Sequence, residues 1–275
     1  MILKLLKNEL KASYRMPVAI YAITLFLGVL APVLYGMSYE SLSGLSVVLF
    51  IIFTIPFLVV TIVTIAQRFG KNLFGDEGYL MFTLPVKTYE LVLAKLVCAI
   101  FWVVCGVVVY LLAWILLLIF SGFSNGLSVP EMVKPLIDIV AEFTGISAVQ
   151  LVNLTLIAVV VIFVETVSLI QLLYFTSTVT NIGLIQKFKS ISGVVIFFII
   201  TAITSLIIRV FKDFMPLTLK ITRTGMEFGG DLRMQLTRYP MEIILSLNDV
   251  IIYAILFFPL FFLTTTLIKR HLAMK

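Results

Sequence analysis

Glu165 is the only acidic side chain set deep inside one of the chain's long apolar runs, and Ser168 and Thr176 fall on nearly the same helical face. A carboxyl in such surroundings is costly to keep. It either meets a polar ligand along a path through the apolar region or is locked by hydrogen bonds to a neighbouring helix, and both readings stand at this point. Cys98 and Cys105 share a face of another apolar run, away from any oxidising aqueous surface, which makes them packing residues and excludes a disulfide framework. A single histidine, His271, leaves no histidine-based metal centre to build. The sequence contains no H-E-x-x-H and no G-x-S-x-G, so no enzyme activity is expected of it.

A second constellation is Arg68 to Lys95, RFGKNLFGDEGYLMFTLPVKTYELVLAK, the longest polar interruption in the N-terminal half. Gly75-Asp76-Glu77-Gly78 has the composition of an acidic turn, because glycine tolerates unusual backbone angles and Asp favours turns. Leu80, Phe82 and Leu84 follow as apolar side chains, and Pro85 stops whatever precedes it. Thr88 is placed to cap a new helix that runs through Lys95 into the next apolar run. A short, bent element tied to two apolar runs can pass a push into them, whereas a floppy linker would absorb it.

The elements that must position these residues are membrane spans. With 61% hydrophobic and 12% charged residues over 275 positions, the chain lacks the charge of a soluble surface. Its mean hydropathy of +1.18 points the same way. The expected fold is an all-α integral membrane protein forming a single transmembrane domain over 1–275, with the lipid bilayer as its medium and no nucleic-acid partner. Six runs approach the length needed to cross a bilayer: Met16 to Met37, Gly44 to Ala66, Leu96 to Phe120, Leu151 to Phe175, Ile191 to Ile208 and Val250 to Ile268.

Ahead of them, residues 1–15 set Ile2, Leu3, Leu6 and Leu10 against Lys4, Asn8, Lys11 and Arg15, an amphipathic helix suited to a membrane surface. Outside the runs lie the 68–95 loop, a 121–150 loop in which Ser128 and Glu131 have capping-box spacing, and a large 210–247 segment with charges of both signs. Lys and Arg crowd the N-terminus, the 68–95 loop, Lys187, Lys189 and the C-terminus. The 121–150 loop carries only Lys134. By the bias of short loops both termini are then cytoplasmic, and the 121–150 and 210–247 segments external.

In that orientation Glu77-Gly78, Leu84-Pro85-Val86, Leu91 and Lys95 resemble the cytoplasmic loop between the second and third spans of type 2 permeases of ATP-binding-cassette (ABC) transporters. The N-terminal amphipathic helix, six spans and large last external segment are similar to that family as well. The resemblance implies that the 68–95 loop holds a coupling helix, with Asp76, Glu77, Gly78, Leu80, Phe82, Leu84, Pro85, Thr88 and Lys95 meeting a separate ABC ATPase subunit. It also implies a bacterial plasma-membrane exporter with a second permease subunit, identical or related. ATP and magnesium would be bound by the partner, because this chain has no G-x-x-x-x-G-K-[ST]. The implied cargo is a peptide, lipid or drug-like molecule, with Glu165, Ser168 and Thr176 as transport-path candidates. A non-transporting sensor or immunity protein and a secondary transporter are the competing readings. The second of these would be expected to have internal repeats and several buried charges.

Overall fold

The computed structural model describes residues 2–37, 39–75, 86–124, 148–181, 189–214, 218–222, 225–228 and 243–273, with positions 126, 128, 130–131, 133–135 and 137–138. The chain divides into two compact units, Met1–Val133 and Lys134–Lys275. Among the described residues six helical segments are long and apolar enough to cross a bilayer, the make-up expected of a multi-pass membrane protein. Their apolar side chains are widely exposed, as at Ile55 and Phe258. Helices that are apolar on every face suit hydrocarbon surroundings.

The first unit contains α1 (Ile2–Ser13), α2 (Arg15–Gly36), α3 (Glu40–Phe74) and α4 (Thr88–Ser124). α2 packs along both α3 and α4, and α1 lies against α4. Small residues set the closest approach: a β-carbon at Gly28 would stand 2.8 Å from the carbonyl oxygen of Ala113. Beside this contact runs an aromatic ladder. Tyr21 meets Phe57 and Trp102, Phe57 stacks on Tyr110, and Phe50 is wedged between Tyr110 and Trp114. The Tyr110 hydroxyl shares a 2.8 Å hydrogen bond with Thr54, so its polar end is satisfied at the α3–α4 contact.

α3 and α4 have 35 and 37 residues. At about 1.5 Å per residue both outrun a hydrocarbon core of about 30 Å. This narrows the expected 68–95 loop. Arg68 and Lys71 belong to the last turns of α3 and Thr88 through Lys95 to the first turns of α4, so the connection between the two helices spans only Gly75 to Lys87. Thr88 is the first helical residue and does not cap the helix. Glu90 does so from inside the first turn, its carboxylate accepting the Lys87 N–H at 3.4 Å.

Beyond α4 Ser128 and Glu131 form the glutamate half of the expected capping box. Glu131 Oε2 accepts the Ser128 hydroxyl at 2.6 Å and the Ser128 N–H at 2.7 Å. Those two bonds, the hydroxyl's first, hold the Glu131 carboxyl below the usual glutamate range. The described residues from 130 to 138, Pro135 among them, are helical.

The second unit contains α5 (Ala148–Asn181), α6 (Lys189–Phe214) and α7 (Leu247–Ala273), with α5 packed on both α7 and α6. Between α6 and α7 the all-helical expectation fails locally. β1 (Thr218–Thr222), β2 (Gly225–Phe228) and β3 (Ile243–Ser246) form an antiparallel sheet in the order β2-β1-β3. Leu219 stands opposite both Phe228 and Leu245, and Lys220 opposite both Glu227 and Ile244. The strand T-L-K-I-T alternates apolar and polar residues with β-branched members, the pattern of a strand with one covered face, and Leu219 is buried.

Candidate functional site

In the first unit the polar chemistry is concentrated where α1 meets α4. α1 buries two side chains one turn apart, Glu9 and Ser13. The opposite side of that contact is the face of α4 bearing Lys95, Cys98 and Trp102, at helical spacings of three and four. Lys95 donates to Glu9 Oε1 at 2.5 Å in a buried ion pair, and Lys95 is only 5% exposed. Trp102 Nε1 donates to Ser13 Oγ at 2.7 Å, and Ser13 Oγ lies 3.5 Å from Cys98 Sγ. The Ser13 hydroxyl itself donates back to the Glu9 carbonyl at 2.7 Å. From α3, Arg68 donates to the carbonyl oxygen of Ala12 at 2.7 Å, satisfying an acceptor in the last turn of α1. α1 is thus fastened to the ends of both helices that flank the 75–87 connection.

Of the residues expected to contact a partner, Thr88 and Lys95 are on the first turns of α4, and Lys95 gives its charge to Glu9 inside the chain. Asp76, Glu77, Gly78, Leu80, Phe82, Leu84 and Pro85 lie outside the described residues. Glu9 and Ser13 escaped the reading of α1 as an apolar stripe opposed to a basic one. The available signal was one acidic residue in an otherwise basic helix, four positions before a serine. Of the apolar stripe, Leu3 is 80% exposed, while Ile2, Leu6 and Leu10 are half-buried.

In the second unit α5, α6 and α7 line an open-sided cavity of about 520 Å3. Glu165 and Ser168 line it, so two of the three candidates come together. Thr176 is buried two turns further along α5, does not line the cavity, and donates its hydroxyl to the Leu173 carbonyl at 3.0 Å. A second carboxyl, Asp249, lines the same cavity together with Tyr253. Asp249 lies in the first turn of α7, where the helix dipole favours an anion. In the sequence Asp249 falls just outside the sixth apolar run, which starts one residue later at Val250. Apolar walls come from Leu169, Leu256, Phe257 and Leu260. Phe257 is therefore a cavity residue, whereas Phe258 on the next position faces outward. Ser168 bridges α5 to α7 by donating to the Tyr253 carbonyl at 3.2 Å, and Gln171 donates to Thr264 at 3.2 Å in a fully buried pair. Among the described residues no group of three or more His, Cys, Asp or Glu side chains is arranged to hold a metal ion.

Comparison with protein-family models, with curated proteins and with solved structures returned no match to this chain.

Proposed function

We propose that the protein is the permease subunit of an ATP-driven exporter of the bacterial plasma membrane, of the type 2 ABC kind. Both termini are cytoplasmic in this reading. It pairs with a second permease subunit and with separate ATPase subunits that bind ATP and magnesium, and it moves a peptide, lipid or drug-like cargo outward. The observation that carries the proposal is the fastening of α1 to α3 through Arg68 and to α4 through Lys95 and Trp102. A force delivered between Gly75 and Thr88 meets helix ends that α1 ties together. It passes into two helices long enough to continue across the bilayer. Asp76, Glu77, Gly78, Leu80, Phe82, Leu84 and Pro85 are assigned to the contact with the ATPase. Apolar docking supplies the affinity and the acidic turn the register, because exposed ion pairs are individually weak. Thr88 to Lys95 acts as the lever. Glu165 and Ser168 belong to the transport path in the second unit.

Gentle extraction of the tagged protein from its native membrane tests this reading. A P-loop ATPase is expected to co-purify, and replacement of residues 76–85 by a Gly-Ser segment of equal length is expected to release it while the permease stays folded. Recovery of no ATPase with the natural chain, or undiminished recovery with the replaced segment, overturns the proposal.

A further inference from the structure

We infer that the cavity of the second unit is a binding site for a primary ammonium carried on an apolar body. Its volume of about 520 Å3 lies in the range of about 300–1,000 Å3 typical of small-molecule sites. Its walls combine a few converging polar groups with leucine and phenylalanine side chains. The argument for the cation rests on what those polar groups can still do.

Five serine and threonine hydroxyls line the cavity. Each has one proton to donate and two lone pairs to accept with. All five protons are already committed to backbone carbonyls. Thr166 donates to Ile162, Ser168 to Tyr253, Thr201 to Phe197, Thr204 to Ile200 and Ser205 to Thr201, at 2.7 to 3.2 Å. The hydroxyl oxygens therefore have only acceptor capacity left for a ligand. Glu165 and Asp249 add carboxyl oxygens, and among the described residues no Lys, Arg or His lines the cavity and the Tyr253 phenol is the remaining titratable group. A lining rich in acceptors and poor in donors is matched by a ligand with several N–H donors and positive charge. A carboxylate or phosphate finds no cationic partner there. An ammonium offers three donors, and its bond to an ionised carboxylate is of the strong, charge-assisted kind.

The volume and apolar walls favour an amphiphilic organic amine over a bare metal cation, which takes a compact oxygen cage. The amine could be a free molecule or the headgroup of an aminophospholipid. The chemistry is the same, and the test separates the sources. The site stands whether or not the chain works with an ATPase, because binding is measured on the permease alone.

The experiment is equilibrium binding of tritiated 4-phenylbutylamine to the full-length protein in phosphatidylglycerol nanodiscs at neutral pH. Unlabelled 4-phenylbutylamine, 4-phenylbutanol and 4-phenylbutyrate serve as competitors. Saturable binding displaced by the amine alone is expected, with a loss of about tenfold for Glu165→Gln and a further loss for Glu165→Gln/Asp249→Asn, as one and then two charge-assisted bonds go. Thr204→Val, which removes an acceptor without touching charge, is expected to weaken binding by a smaller factor. It also keeps the test open should a carboxyl variant fail to elute as a folded protein. Suppression of binding when phosphatidylethanolamine replaces part of the bilayer identifies a lipid headgroup as the occupant. Unchanged binding identifies a free amine. Equal displacement by the alcohol, displacement by the carboxylate, competition by millimolar sodium at constant ionic strength, or undiminished binding to the double variant would each overturn the assignment.

Discussion

Glu9 and Lys95 are 86 positions apart, yet they form a buried ion pair. Removing one partner takes the ion pair from the other buried charge at a cost of about 3–5 kcal/mol, whereas removing both with side chains of similar size is often close to neutral. Glu9→Gln and Lys95→Met are each expected to lower the thermal midpoint of the detergent-solubilised protein clearly. The double variant is expected to recover most of the loss, and a double variant that loses the sum of the two singles would refute the pairing as an energetic unit. Glu131 makes a separate prediction. Its folded pKa is depressed by Ser128, so the cap's electrostatic contribution is fully present above the unfolded glutamate value and is lost as pH falls through the lower folded value. Carboxyl NMR of the glutamate-labelled protein is expected to find Glu131 titrating below the ordinary glutamate value, and Ser128→Ala to move it part of the way back, because the alanine N–H still donates to the carboxylate. At this scale the sequence disclosed what stood out against an apolar background, Glu165 above all. Glu9 and Asp249 were hidden because each sits in a polar or terminal stretch. What distinguishes them is the long-range partner or cavity they meet, and spacing along the chain does not encode that.

At the scale of elements, hydropathy located the six described helices that are long and apolar enough to cross a bilayer, because length and apolar content are what a bilayer selects. Helix ends were less legible. α3 runs through Arg68 and Lys71 to Phe74, and α4 begins at Thr88, because an aqueous turn of helix costs nothing that hydropathy registers. The sheet was missed for a related reason: charges and glycines in the 210–247 segment masked the two-residue alternation of Thr218 to Thr222. Close packing of α2 on α4 gives the prediction for this scale. A β-carbon at Gly28 would meet Ala113 backbone oxygen at 2.8 Å and its β-carbon at 3.0 Å, inside a helix pair held by aromatic contacts, while one at Gly44 meets nothing within 4 Å. Gly28→Ala is expected to destabilise the protein by about 1–3 kcal/mol, the usual cost of overpacking. Gly44→Ala is expected to be neutral or stabilising by up to about 1 kcal/mol through helix propensity. Thermal unfolding of the two variants side by side checks both signs, and an equal effect at the two positions contradicts the packing account.

For the whole molecule, the two units carry different chemistry: an ion-paired, aromatic assembly around α1 to α4 in one and an acceptor-lined cavity among α5 to α7 in the other. The proposed function gives them distinct tasks, reception of a cytoplasmic push and handling of cargo. The central claim concerns the first. Photo-crosslinking from a benzoylphenylalanine placed at position Phe82 in living cells, with the same probe at Ser128 as control, tests it most directly. The proposal predicts an adduct containing a P-loop ATPase from position 82 and none from position 128. No ATPase adduct from position 82, or equal adducts from both, would contradict it.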